Sequence, residues 1–124
     1  MVGRLIEVAK SDYQYPLLFK QLWRTPLLHA ADQETVYREL KRFTYRQIEE
    51  RIGRLASALD KIGVRPGETV GVLDWDSNRF LEAFFAIPMI GAVLQTVKVR
   101  LSPEQVAYII NHAGASTLLE RISK

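Results

Sequence analysis

From Thr44 to Leu119 the apolar pattern changes period repeatedly, and that alternation limits what the chain can fold into. Thr44-Tyr45-Arg46-Gln47 has the form of a capping box, in which a hydroxyl and an amide satisfy two free N–H groups at a helix start. Ile48, Ile52, Leu55, Ala56, Leu59 and Ile62 then keep a 3.6-residue period up to Gly63, which suits the left-handed position after a helix. Arg65-Pro66-Gly67-Glu68 reads as a type II turn, and Thr69-Val70-Gly71-Val72-Leu73 as a strand covered on both faces.

The same sequence of signals then recurs. Asp76 or Ser77 can cap a helix carrying Phe80, Leu81, Ala83, Phe84, Phe85 and Ile87, which Pro88 should kink or end and Gly91 should stop. Residues 92–97 form the next strand-like run. Ser102-Pro103-Glu104-Gln105 opens another helix, with serine at the cap and proline in the first helical position. It runs through Val106, Ala107, Ile109 and Ile110 to Gly114, and Ser116-Thr117-Leu118-Leu119 opens a further strand. Helix, strand, helix, strand, helix, strand is the order of right-handed crossovers on a parallel sheet, so the expected class is α/β. The expected architecture is a partial parallel-sheet subdomain with flanking helices, because three strands are few for a sheet covered on both faces.

Upstream, Tyr15, Leu18, Phe19, Leu22 and Trp23 mark one face of a short helix between Tyr13 and His29, with Pro26 limiting its extension. Residues 34–45 alternate around Val36, Leu40 and Phe43, the pattern of two short strands joined near Glu39. The chain thus divides into an N-terminal helix and short strands, 1–43, and an incomplete α/β subdomain, 44–124. Residues 83–97 are mostly uncharged but shorter than the ~20 residues of a membrane helix, so they read as buried core. The first residues meet charge at Arg4, Glu7 and Lys10, before a secretory h-region can form.

Few reactive constellations exist. The chain has no cysteine, which excludes a disulfide framework and thiolate metal sites and leaves cytoplasmic as the expected location. A net charge of +3 is too small to argue for nucleic acid. His29 and His112 lack a second ligand on their helical faces, and His112 suits the dipole of a helix's last turn. Ser77, His112 and Asp74 could be combined on paper, without a nucleophile elbow to support them. No glycine-rich phosphate loop of either common form is present. Asp74-Trp75-Asp76 lies where a strand passes into a helix, a place where open α/β sheets bind ligands. The plainer reading gives Asp76 the helix cap and packs Trp75 at the sheet edge. Arg38, Lys41, Arg42 and Arg46 alternate with Glu34 and Glu39, as on a solvated face. No catalytic, cofactor-binding or metal-ligating residue is assigned.

The runs FTYRQI, RLASALDKIGVRPGETVGVL and LEAFFAIPMIGAVLQTVKVRLSPEQVAYIINHAG resemble the N-terminal region of adenylate-forming acyl-CoA synthetases, specifically the medium- and long-chain fatty acyl-CoA ligases. The resemblance implies the N-terminal part of that family's large domain. It also implies a ligase of fatty acid metabolism that uses ATP and Mg²⁺ to form an acyl adenylate, from which CoA displaces AMP. A Ser/Thr/Gly-rich loop ending in Pro-Lys-Gly and the family's later motifs do not occur in these residues. At positions 95 and 98 the fatty acyl branch more often has His and Asn, whereas this chain has Gln95 and Lys98. The expectation is an N-terminal fragment, inactive alone and binding no cofactor itself, shortened by truncation or by a changed reading frame after Leu119. Two other readings are an assembly module exposing Phe80, Phe84, Phe85 and Met89, as a homodimer or by self-association, and a small stand-alone ligand-binding domain at residues 74–76 with Gln95 and Lys98. A helix as apolar as the one from Asp76 to Met89 needs several partners, so the isolated chain is expected to be marginally stable or self-associating.

Overall fold

The computed structural model describes residues 7–120. The elements follow in the order α1 (Phe19–Ala30), β1 (Glu34–Tyr37), β2 (Lys41–Thr44), α2 (Tyr45–Lys61), β3 (Thr69–Leu73), α3 (Asn78–Met89), β4 (Val93–Thr96), α4 (Pro103–Ala113) and β5 (Ala115–Glu120). The charged start at Arg4 and residues 121–124 lie outside the described residues.

Both capping boxes form. The Thr44 hydroxyl accepts from the Gln47 N–H at 3.2 Å while the Gln47 side chain accepts from the Thr44 N–H at 2.9 Å, and Ser102 and Gln105 repeat the arrangement. Gly67 takes a φ of 86° between Arg65 and Glu68, as a type II turn requires. This turn is held to the one that follows α3, since the Gly67 N–H donates to the Gly91 carbonyl at 2.8 Å. A side chain at Gly91 would meet the Pro66 ring at 3.2 Å.

β3 is the centre of a parallel sheet of order β4-β3-β5, with Val72 opposite both Thr96 and Leu119. The chain leaves β3 for one neighbour and then crosses back past it to the other. Right-handed crossovers therefore put α3 and α4 on opposite faces. On the α3 face, Val70 and Val72 join Leu59, Val64, Ala83, Ile87 and Ala92 in a continuous core. On the other face, Gln95 reaches α4 and no residue of α4 is buried. A second core joins the helices, with Trp23, Ile48, Ile52, Phe85 and Ala86 at its centre.

The hairpin of β1 and β2 forms as expected, and Arg38 and Glu39 turn it with φ of 48° and 58°. Four expectations need correcting. α1 starts at Phe19 and continues through Pro26 to Ala30. The missing N–H costs about 3 kcal/mol, but Trp23 and Leu27, on either side of it, both pack in the second core and hold the turns together. The face expected of α1 is exposed at Tyr15, Leu18, Phe19 and Leu22, and only Trp23 is buried. Val36, Leu40 and Ile62 are also exposed, because no described element packs beyond the hairpin's outer side or the end of α2. The surface expected of Phe80, Phe84, Phe85 and Met89 is mostly interior. Phe85 is 8% exposed, and Phe80 and Met89 pack against the two cores, which leaves Phe84 outward at 39%.

Candidate functional site

β3 is followed by α3 on one face of the sheet, and its neighbour β4 by α4 on the other. The loops leaving these strands must part, and a crevice opens between them at the C-terminal edge. It has a volume of about 330 Å³, walled by Asp74, Trp75 and Asp76 from the first loop and by Val97, Lys98 and Arg100 from the second. The Arg100 guanidinium lies 5.7 Å from the centre of the Trp75 ring, which is 43% exposed.

Asp74 sits one residue beyond the last pair of the sheet and accepts the Ser77 O–H through Oδ2. Its Oδ1 is buried without a hydrogen-bond partner among the described residues. Ser77, not Asp76, caps α3, its oxygen accepting from the Arg79 and Phe80 N–H groups. Thus engaged, Ser77 is a cap and not a nucleophile. His112 cannot complete a triad with it. α4 runs from the C-terminal edge of the sheet to the N-terminal edge, and His112 lies in its last turn, its ring stacked on Tyr108 at 5.6 Å. His29 stands in the last turn of α1. Among the described residues no cluster of His, Asp and Glu could hold a metal ion.

The structure therefore brings Asp74, Trp75, Asp76 and Lys98 together, as residues at adjacent strand ends must be, but turns Gln95 away. Its side chain donates to the Ile109 carbonyl of α4 at 3.0 Å. The basic group near the hairpin is a solvated face: Arg42 pairs with Glu34 and Glu39, and Arg46 with Asp32, all more than half exposed.

A second cavity, of about 410 Å³, lies on the α2 side of β5 between Arg51, Asp74, Arg79, Glu82, Leu118 and Glu120. Its wall holds the best-built polar group of the molecule. Arg51 donates to Glu82 through Nε at 2.6 Å and through a terminal nitrogen at 3.3 Å. Asn78 donates to the same carboxylate at 2.9 Å, and the guanidinium lies 4.8 Å from the centre of the Phe43 ring. The side chain of Glu82 is 7% exposed. Spacing could not have found this pair, whose members are 31 residues apart. One signal was available, since Glu82 is an acid within the most apolar helix of the chain.

Residues 23–124 match the model of the AMP-binding enzyme family. The chain belongs to this family. It is 46% identical over 81 residues to a long-chain-fatty-acid-CoA ligase of Thermus thermophilus, which covers 65% of the chain and 15% of that ligase. It is 35% identical over 104 residues to a peroxisomal acetate/butyrate-CoA ligase of Arabidopsis thaliana, covering 84% of the chain and 18% of the relative. In structure it matches the anthranilate-CoA ligase AuaEII, solved with anthranoyl-AMP, with a TM-score of 0.79 and 28% identity over 86% of the chain and 21% of that protein. The N-terminal domain of a Mycobacterium tuberculosis protein, FACL13, has the same fold, with a TM-score of 0.77 at 22% identity over 83% of the chain and 26% of that chain. The chain thus spans about a fifth or less of these two curated relatives. No described helix is long and apolar enough to cross a membrane.

Proposed function

We propose that these residues are the N-terminal α/β segment of an ATP-dependent ligase that joins a fatty acid to CoA, and that they form no acyl adenylate by themselves. The observation that supports the substrate class is the 46% identity to a long-chain-fatty-acid-CoA ligase over 81 residues. The activity belongs to the longer architecture of which this fold is a part.

The residues of the crevice do not fit the triphosphate of ATP. The crevice sets Asp74 and Asp76 against Lys98 and Arg100, so the charge of a triphosphate meets as many carboxylates as cations. Transferring a phosphoryl-linked group needs preorganised cations and N–H donors around the developing charge. Ser77 is occupied as a cap and the 124 residues contain no glycine-rich phosphate loop. No step of adenylation is therefore assigned to a residue here. What the segment supplies is a packed sheet edge and two cavities against which other parts of the architecture can seat.

The test is ATP/pyrophosphate exchange on the purified chain with fatty acids of several lengths and Mg²⁺. Exchange at the level of the buffer blank is expected. Exchange that saturates with fatty acid and scales with protein would refute the reading.

A further inference from the structure

The two loops that wall the crevice are held differently. The first, Asp74-Trp75-Asp76, is short and runs directly into the Ser77 cap of α3. The second, residues 97–101, is fixed at its two ends. Val97 is buried and its N–H donates to the Val72 carbonyl at 2.9 Å, while Ser102 and Gln105 close the capping box of α4. Between these anchors the loop has, among the described residues, a single backbone hydrogen bond, from the Leu101 N–H to the Lys98 carbonyl at 3.3 Å. Its Lys98 and Arg100 are exposed.

Charge faces charge across the gap without joining it. The first loop carries Asp74 and Asp76 and the second Lys98 and Arg100, yet among the described residues none of the four forms an ion pair. What crosses the crevice is the Arg100 guanidinium, 5.7 Å from the centre of the Trp75 ring, inside the ~6 Å over which a ring's negative face attracts a cation.

We propose that Arg100 and Trp75 form a latch, and that residues 97–101 are a strap that sets how wide the crevice opens. When the contact is broken, Arg100 returns to water and the strap swings out on its anchors at Val97 and Ser102. An exposed contact of this kind favours the latched position by only about two- to five-fold in population, so the strap is a gate and not a fixed brace. The opposed charges of the two loops add an attraction that salt weakens. All the residues of the device lie between Val72 and Gln105, away from both ends of the sequence. This inference does not rest on the ligase reading, which is tested by exchange activity and not by loop motion.

The chain carries its own reporter. It has two tryptophans, of which Trp23 is 6% exposed and Trp75 43%, so acrylamide quenches mainly the emission of Trp75, and Trp75→Phe measures the remainder that belongs to Trp23. Arg100→Ala should raise the quenching constant of Trp75 roughly two-fold, because the guanidinium no longer shields the ring. An unchanged or lower constant would overturn the proposal. Hydrogen exchange of single amides, followed by NMR, separates release of the strap from a general loss of folding. In Arg100→Ala the Leu101 N–H should exchange about two- to five-fold faster, while the Val97 and Val106 amides, at the anchored ends, keep their rates. Equal acceleration at all three amides, or none at Leu101, would also overturn it.

Discussion

α3 and α4 lie on opposite faces of one sheet, each begins at a serine cap, and each holds a proline. Their fates differ completely. α3 buries Glu82, Ala83, Phe85, Ala86 and Ile87, while α4 buries nothing. Local chemistry therefore explains why both are helices but not why only one is core. α3 is pressed between β3, α2 and α1, whereas α4 rests on the sheet beside β5 and, among the described residues, has no helix packed on its outer side. A helix's contribution to stability follows from how many of its sides are covered.

The largest test of that difference is truncation. Phe85→Ala should cost about 3–5 kcal/mol and Ile87→Ala about 2–5 kcal/mol, a large part of the ~5–15 kcal/mol typical of a domain. Ile109→Ala on α4, where the side chain is only partly buried, should cost less than about 1.5 kcal/mol. Urea denaturation of the three variants measures this, and an Ile109 loss equal to that of Ile87 would mean that α4 is covered as fully as α3. Phe84→Ser should cost less than Phe85→Ala, since Phe84 is 39% exposed but its ring still meets those of Phe19 and Phe85 at 5.8 Å, and it should raise solubility.

A smaller effect sharpens the comparison from the polar side. α3 can bury Glu82 only because Arg51 and Asn78 satisfy it. Glu82→Ala leaves Arg51 unpaired beside the core, and because that guanidinium is a third exposed the cost should be about 1–3 kcal/mol, below that of a fully buried pair. The double variant Arg51→Met with Glu82→Leu should recover much of the loss. A double variant less stable than Glu82→Ala alone would show that the pair adds more than its own desolvation removes.

The smallest expected effect is on α4. Hydrogen bonding from its own backbone N–H, and then from the Ser102 hydroxyl, holds the Glu104 carboxyl below its ordinary value of 4.5. A depressed folded pKa gives stability that is present above the unfolded pKa and lost as pH falls through the folded one. The denaturation midpoints of the chain and of Glu104→Gln should therefore differ slightly at pH 7 and converge as the solution is acidified below 4.5. A difference that persisted in acid would assign it to packing instead.

What could be read from the sequence was local. Capping residues at Thr44, Ser77 and Ser102, the turn at Pro66-Gly67 and the change of period between segments placed every element from β3 to β5, because each signal acts within one turn or one strand. The loops at Asp74-Trp75-Asp76 and at Lys98 could be named as a candidate site for the same reason, since they stand at the ends of strands. Which side chains those elements cover was decided in three dimensions. α1 continues through Pro26 because Trp23 and Leu27 are held from outside the helix, and Gln95 turns from the crevice because α4 offers it a carbonyl. Glu82 is buried because an arginine on another helix neutralises it. Periodicity reports which face of an element is apolar, whereas burial depends on residues far away in the chain, and only the folded arrangement brings those within reach.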